Sequence, residues 1–531
     1  MMALLGSIAG AYSASVLDLA FRPDRTRDVP LSRQLADHVA TLVAAGRLDG
    51  GARLPPTREV AAALGLARNT VAAAYAELTT RGLLQAHVGR GTFVVATGAP
   101  PPAAPPSGAS PTPAGREFGW SGLLSRAAHA ARVPAAFRRS ELDGPFPFDF
   151  RGGRVDPALL PAGDLRWAFA RPFQTRATLQ ALAGHRDPWG WPPLRRAVAR
   201  RLADRAMRCT ADDVAIVGGL QQAIDLTARA LVDPGDAVVV EQPGYFGAAF
   251  AFAGRGADVL GVEVDARGLR TDRLARLLRT RRVKLIHVTP AAQSPTGVPL
   301  ADDRRAELLA LADAHQVPVL EDDYDSELRW SGPLRPTLKA DDRGGHVVYA
   351  GTFSKVLFPG LRLGFVVAAR PLLERVVALR ALADFGTGVV EQAALATLLA
   401  TRGLDRHVAR LRRAYGARRA ALLDALARRM PAGARWTPPA GGHVVWVTLP
   451  PGTDPERLHH AARSRGVAYT GGEVFHVDGG GADHLALAFT ALDVAAIDDG
   501  VARLAAAVRA ARGARASHPA RGRAPRRAAR R

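Results

Sequence analysis

The chain has 531 residues, and at about 150 residues per compact unit it is too long for one ordinary domain. Apolar residues make up 48% and charged residues 23%, which excludes a globally disordered chain, and a lone cysteine, Cys209, excludes a disulfide framework or a zinc cluster of cysteines. Lys and Arg number 71 against 49 Asp and Glu, a net charge of +22 that points to a polyanionic partner, usually nucleic acid.

The first 20 residues carry no Lys or Arg and are interrupted by Gly6, Gly10, Ser13 and Ser15, so a secretory signal is not expected. No apolar run reaches the roughly 18 residues of a membrane span. With one cysteine, these features predict a cytoplasmic protein. Residues 16–96 read as a small first domain. Pro30 opens a helix with Leu31, Leu35, Val39, Leu42 and Val43 at helical spacing, ended by Gly46. A second helix is predicted in LPPTREVAAALG, with Thr57 as its N-cap and Val60, Ala61 and Leu64 on one face. A short turn at Gly65 leads to a third, RNTVAAAYAELTTRG, with Val71, Ala74, Tyr75 and Leu78 inward. Two helices across a short glycine-containing turn are a helix-turn-helix pattern. LLQAHVGRGTFVV then reads as a hairpin with Arg90 at its tip.

This arrangement suits duplex DNA. A recognition helix places its N-terminal side chains on base edges, here Arg68, Asn69 and Thr70. Arg53, Thr57, Arg58 and Arg90 can hold phosphates. Residues 21–96 hold ten Arg against six acids. A small protein-interaction domain is the alternative on pattern alone. The stretches PLSRQLADHV, LPPTREVAAALGLARNTVAAAYAELTTRGLL and GRGTFV resemble the winged helix-turn-helix of GntR-type bacterial regulators across nearly all of residues 28–95. The family usually has Ser where this chain has Ala67, and losing that cap weakens the helix start by about 1 kcal/mol.

Residues 97–144 are predicted to be a linker; seven prolines among Ala, Ser and Gly in 97–115 cannot form a core. Residues 145–508 alternate strands and helices. Strands are predicted at 214–219, 237–245, 285–290, 317–327, 346–355 and 361–368, with helices after the first and over 301–315. Apolar strands with helical crossovers make a mostly parallel sheet covered on both faces, with ligands beyond the strand C-termini. Residues 509–531, with nine arginines and no acid, are predicted to be a basic disordered tail.

The polar clusters of the large domain lie at those strand ends. The chain has only three lysines, Lys284, Lys339 and Lys355. Lys355 follows a strand and a Gly-Thr-Phe-Ser turn, where a partly dry lysine can form an imine with an aldehyde. Asp322 ends another strand and could hold a protonated pyridine nitrogen, as pyridoxal phosphate requires. Tyr324 can reach the ring's phenolic oxygen, and Tyr245 can cover the ring. Gly219, Leu220 and Gln221 present backbone N–H groups at a helix start suited to a phosphate, with Thr352, Ser354 and Arg362 adding contacts. Taken singly, a strand-end lysine is usually solvated, and Asp322 among Glu321, Asp323 and Asp325 could belong to a solvated loop or a metal site.

EQPGY, TPAAQSPTG, EDDYDSE, YAGTFSKVLFPGLRLG and AGGHVVW resemble the aminotransferase-like domain of fold type I, in the branch fused to a GntR winged helix and known as the MocR family. The resemblance covers about 150–505. It implies an α/β winged helix-turn-helix joined to an α/β, fold type I, pyridoxal-phosphate-binding domain, with no metal site. It implies a homodimeric transcription regulator that senses pyridoxal phosphate or an amino compound; an active aminotransferase is the alternative. It also implies the cofactor lysine for Lys355, the pyridine partner for Asp322, the ring-oxygen partner for Tyr324, the stacking aromatic for Tyr245 and a phosphate-side arginine for Arg362. Two positions depart from the family: Ala292 stands for a histidine, and Ala486 for the arginine that grips a substrate carboxylate. The sensed ligand is therefore expected to be pyridoxal phosphate itself or an amine without that carboxylate.

Overall fold

The computed structural model describes residues 21–95 and 144–512, apart from 22, 25–28, 45–47, 49–50, 88–90, 185–186 and 332–334, together with 123–125 and 128. The chain divides into two compact units, Met1–Glu117 and Phe118–Arg531, the division falling inside the 97–144 stretch.

In the first unit the helices α1 (Leu31–Ala44), α2 (Thr57–Leu64) and α3 (Arg68–Thr80) enclose one apolar core. Leu35, Ala36, Val39, Val71, Ala74 and Leu78 are almost wholly buried in it, as the helical spacing predicts. Gly65 caps α2 in the left-handed conformation at φ 63, so the chain turns at once into α3. Thr57 is not the N-cap. Pro56 holds that position with no side-chain cap, because its fixed φ already shapes the helix entry, and Thr57 starts the first turn. The hairpin forms from β2 (Leu84–His87) and β3 (Gly91–Val94). A short strand absent from the sequence reading, β1 (Arg53–Leu54), adds to it in the order β1-β3-β2. The Tyr75 hydroxyl donates to Pro55 O at 3.0 Å, fastening α3 to the segment before α2.

Among the described residues of the second unit the first strand is β4 (Phe148–Asp149), and its main sheet has eight strands: β5 (Val214–Val217), β6 (Ala237–Gln242), β7 (Asp258–Asp265), β8 (Gly268–Leu269), β9 (Val283–Val288), β10 (Val319–Asp323), β11 (Val347–Thr352) and β12 (Gly364–Val367). Their order is β5-β12-β11-β10-β9-β6-β7-β8. β12 runs antiparallel to both neighbours, and β8 to β7; the remaining pairings are parallel. One face is covered by the helices Leu220–Leu231, Phe246–Gly254 and Arg370–Asp384, which contribute Ile224, Phe252 and Val376 to its core. The other face packs on Leu274, Leu308 and Ala312, with Leu194 and Val198 nearby in an adjoining core.

A second sheet, formed by β13 (Arg435–Thr437), β14 (Val444–Thr448), β16 (Thr470–Gly471) and β17 (His484–Ala488), runs in the order β13-β14-β17-β16. β15 (Val467–Ala468) pairs instead with β4. Leu485 and Leu487 point into a core with the long helices Gly403–Arg429 and Val494–Ala511. The neighbouring positions, Ala486 and Ala488, therefore face the other way, onto a cavity that residues of the large sheet also line. Among the described residues no helix is long and apolar enough to cross a membrane.

Candidate functional site

Beyond the C-terminal ends of β10 and β11 the second unit contains a cavity of about 300 Å³. Lys355, Asp322, Tyr324, Tyr245, Leu220, Gln221, Thr352, Ser354 and Arg362 all line it, so residues widely separated in sequence converge there. Gly219, the tenth residue expected at the site, is the N-cap of the Leu220–Leu231 helix at φ 91, and no side chain caps that helix start. A larger cleft of about 1040 Å³, bordered by Arg305 and Arg335, contains none of these residues.

The carboxylates around Asp322 are sorted by strand alternation. Glu321 accepts from the backbone N–H groups of Leu338 and Lys339 at 2.8 Å each. Asp323 is held by Arg205 and the Tyr349 hydroxyl, all buried. Asp325 pairs with His443. Asp322, on the opposite face from Glu321 and Asp323, meets His287 Nε2 at 3.2 Å through Oδ2. Its Oδ1 is buried and has no hydrogen-bond partner among the described residues. Burial pushes the Asp322 carboxyl up, and the His287 hydrogen bond opposes that rise. These acids are neither a solvated loop nor interchangeable; each has its own environment.

At the other end of the cavity, Arg362 donates to Gly218 O at 3.0 Å and lies against Gly219. Gln222 Oε1 accepts from the Gly218 N–H at 2.6 Å. Thr352 Oγ1 and Ser354 Oγ are 3.0 Å apart. The Tyr245 hydroxyl donates to Gln221 Oε1 at 3.2 Å, and Gln221 in turn donates to Gly247 O at 2.7 Å, which fixes the ring of Tyr245. Backbone N–H groups at an uncapped helix start, hydroxyls and a guanidinium together make an anion cradle. Chemically, the site offers a primary amine, an unmet buried carboxylate oxygen and that cradle around one enclosed space.

Several lining residues lie outside the set expected from sequence. Phe246, Val444 and Phe475 bring apolar surface, and His443 stands edge-on to Tyr324 with ring centroids 6.0 Å apart. Burial pulls the His443 imidazole down; the Asp325 carboxylate opposes this and the nearby Lys355 adds to it. His287 escapes sequence reasoning because a histidine inside an apolar strand reads as core. The register that sets it opposite Leu320 is not visible in sequence.

In the first unit Arg68 and Asn69 are exposed at the start of α3 and Thr70 is half-buried, as a base-reading face needs. Ala67 is the N-cap and supplies no side-chain hydrogen bond. Arg58 is exposed and Thr57 half-buried. Arg53 is exposed on β1 with its guanidinium beside Gly91, at the turn end of the hairpin. Arg90 lies outside the described residues.

Comparison with known proteins agrees with this division. Residues 31–94 match the model for bacterial regulatory proteins of the gntR family, and residues 168–504 match aminotransferase class I and II. The HTH-type transcriptional regulator TauR of Rhodobacter capsulatus is 35% identical over 90% of this chain and 96% of its own length. The probable rhizopine catabolism regulatory protein MocR of Rhizobium meliloti is 34% identical over 76% of this chain and 79% of its own. Among solved structures, LysN, an α-aminoadipate aminotransferase of Thermus thermophilus complexed with N-(5'-phosphopyridoxyl)-L-leucine, aligns with a TM-score of 0.68. It is 33% identical, covering 74% of this chain and 98% of LysN.

Proposed function

This chain belongs to the MocR-type regulators, in which a GntR-family DNA-binding unit is joined to an aminotransferase class I and II domain, and we propose that it binds pyridoxal phosphate and couples occupancy of that site to its action on DNA. The observation that carries the proposal is the unmet Asp322 Oδ1, buried on the wall of the cavity that Lys355 also lines. A buried carboxylate oxygen without a donor is costly, and a protonated ring nitrogen is the donor that would satisfy it. The cofactor supplies an electrophilic aldehyde and an electron-withdrawing ring when bound. Lys355 would hold the aldehyde carbon, Asp322 the ring nitrogen and Tyr324 the ring oxygen, with Tyr245 against the ring. Arg362, Thr352, Ser354 and the N–H groups after Gly219 would hold the phosphate. Asp325 orients His443, and the apolar wall excludes water.

The DNA contacts follow from α3 and the hairpin: Arg68, Asn69 and Thr70 for base edges, and Arg53, Thr57, Arg58 and Arg90 for phosphates. We place the protein in the cytoplasm as a homodimer. Leu382 and Phe385 leave 82% and 86% of their surface exposed, apolar area that a second copy would cover.

A second reading, an active aminotransferase that carries a DNA-binding unit, is supported by the likeness to LysN. Two measurements on the purified full chain separate the readings: visible absorbance from bound cofactor, and a mobility shift on the DNA upstream of its own gene with and without added pyridoxal phosphate. A cofactor-dependent change in the shift, without keto acid release from amino acids, supports the regulator. Steady turnover with no effect on DNA supports the enzyme.

A further inference from the structure

Besides its polar groups, the cavity has an apolar wall. Ala486, 3% exposed, sits on β17 with Trp446 opposite it on β14 and Thr470 opposite it on β16. Trp446, Val474, Phe475 and Ala486 form one apolar cluster, with Phe246 and Val444 packed against it. The rings of the cluster are packed on one another. Trp446 stacks on His484 with ring centroids 5.0 Å apart and an interplanar angle of 11°. Phe475 stands edge-on to Trp446 at 5.4 Å and to Phe246 at 5.6 Å. Phe246, Val444, Phe475, Ala486 and Ala488 all reach the cavity surface.

Among the described residues, the cationic side chains lining the cavity are Lys355, Arg362 and, when protonated, His443. Arg362 is engaged with Gly218 and Gly219 at the cradle. His443 is paired with Asp325, and burial disfavours its charged form. A ligand carboxylate directed at the wall of Phe246, Phe475, Ala486 and Ala488 therefore meets carbon surface and the Thr470 hydroxyl rather than a cation. It would lose its water without gaining a bidentate partner. An alkyl or aryl group there gains instead, by about fourfold in affinity for each methylene buried.

Building on the proposed cofactor site, we infer that the second ligand of this cavity is a primary amine with an apolar body and no carboxylate beside the amino group. Its nitrogen enters toward Lys355 and its body lies on Phe246, Phe475 and the face of β17 at Ala486. The wall thus acts as a specificity filter: it admits amines and turns away the amino acids that differ from them by one carboxylate.

Matched pairs test this on the full chain loaded with pyridoxal phosphate: 2-phenylethylamine against phenylalanine, and 3-methylbutylamine against leucine. The readouts are the visible absorption band and titration calorimetry. Each amine is expected to perturb the band and to bind at least a hundredfold more tightly than its amino acid. Ala486→Arg, which places a guanidinium in the wall, is expected to reverse the order. Amino acids that bind as well as their amines to the unaltered chain overturn the inference, and so does silence from both members of each pair. These comparisons do not depend on whether the variant folds. Absence of any cofactor band before an amine is added would instead count against the cofactor site itself.

Discussion

Gly219 and Arg362 are fitted to each other: a Cβ atom on Gly219 would stand 3.0 Å from Arg362 Nη2, and the glycine already holds φ at +91. A side chain there would strain the backbone and require the guanidinium to shift. Gly219→Ala should cost about 1–3 kcal/mol in backbone strain. It should also push the guanidinium off Gly218 O, opening the cradle. The expected outcome is at least tenfold weaker pyridoxal phosphate binding, measured by absorbance titration, in a chain that still folds. Unchanged affinity would show that the cradle does not hold the phosphate.

Asp322 and Asp323 are neighbours with separate surroundings. Asp322→Asn should weaken cofactor binding tenfold or more and shift the visible band, with little change in unfolding midpoint. Asp323→Asn leaves Arg205 buried without its carboxylate, and breaking such a pair costs about 3–5 kcal/mol. Thermal unfolding combined with cofactor titration of both variants checks the division. Equal loss of cofactor affinity at equal midpoints would refute it.

Lys355→Ala should abolish the visible absorbance while the far-ultraviolet spectrum stays native. Borohydride should attach the cofactor to Lys355 alone among three lysines. Lys339 is already engaged with Asp342 at 3.1 Å. Recovery of label on Lys284 or Lys339 would be the contrary result.

In the proposed function Arg68 reads base edges and Arg53 holds phosphate. Arg68→Ala should relax sequence preference, with a loss of about 1–3 kcal/mol confined to the specific site. Arg53→Ala should weaken specific and random DNA alike and reduce the salt dependence of binding. Fluorescence anisotropy on both DNAs at several salt concentrations distinguishes the two, and identical profiles would contradict the assignment.

His407 is buried, and burial together with Arg410 pulls its pKa from 6.5 to about 4. The unfolded chain takes up this proton near pH 6.5, whereas the folded chain resists it until about pH 4. Its effect is therefore absent above that window and destabilising as pH falls through it. The urea midpoint of the unaltered chain should drop more between pH 6.5 and 4 than that of His407→Gln. Parallel pH profiles for the two chains would show that His407 does not contribute.

Local chemistry makes much of this molecule legible in its sequence. Lys355 stands out through its strand-turn context in a chain with few lysines, and α3 through helical spacing after a glycine turn. What stays hidden depends on long-range register. β7 escapes a sequence reading because, as a half-exposed strand beside the two-residue edge strand β8, it lacks the continuous apolar run of the inner strands. His287 gains its role only through pairing of β9 with β10. The wall of Phe246, Trp446 and Phe475 joins segments far apart in the chain, which periodicity within one segment cannot reveal. Thr57 has the chemistry of a cap because threonine favours that position, but Pro56 before it has already set the entry.

The alternation along β10 also fixes what the fold can tolerate. Five residues pair in parallel with β11 and three with β9, so the strand is locked from both sides. A slip by a single residue would turn Glu321 and Asp323 into the cavity together and present Asp322 to Arg205. The ring nitrogen would then face two carboxylates, and the interior arginine a carboxylate set one residue out of place. Insertions and deletions between residues 319 and 323 should therefore be far more damaging than substitutions there, because the strand's register acts as the address that assigns each carboxylate its task.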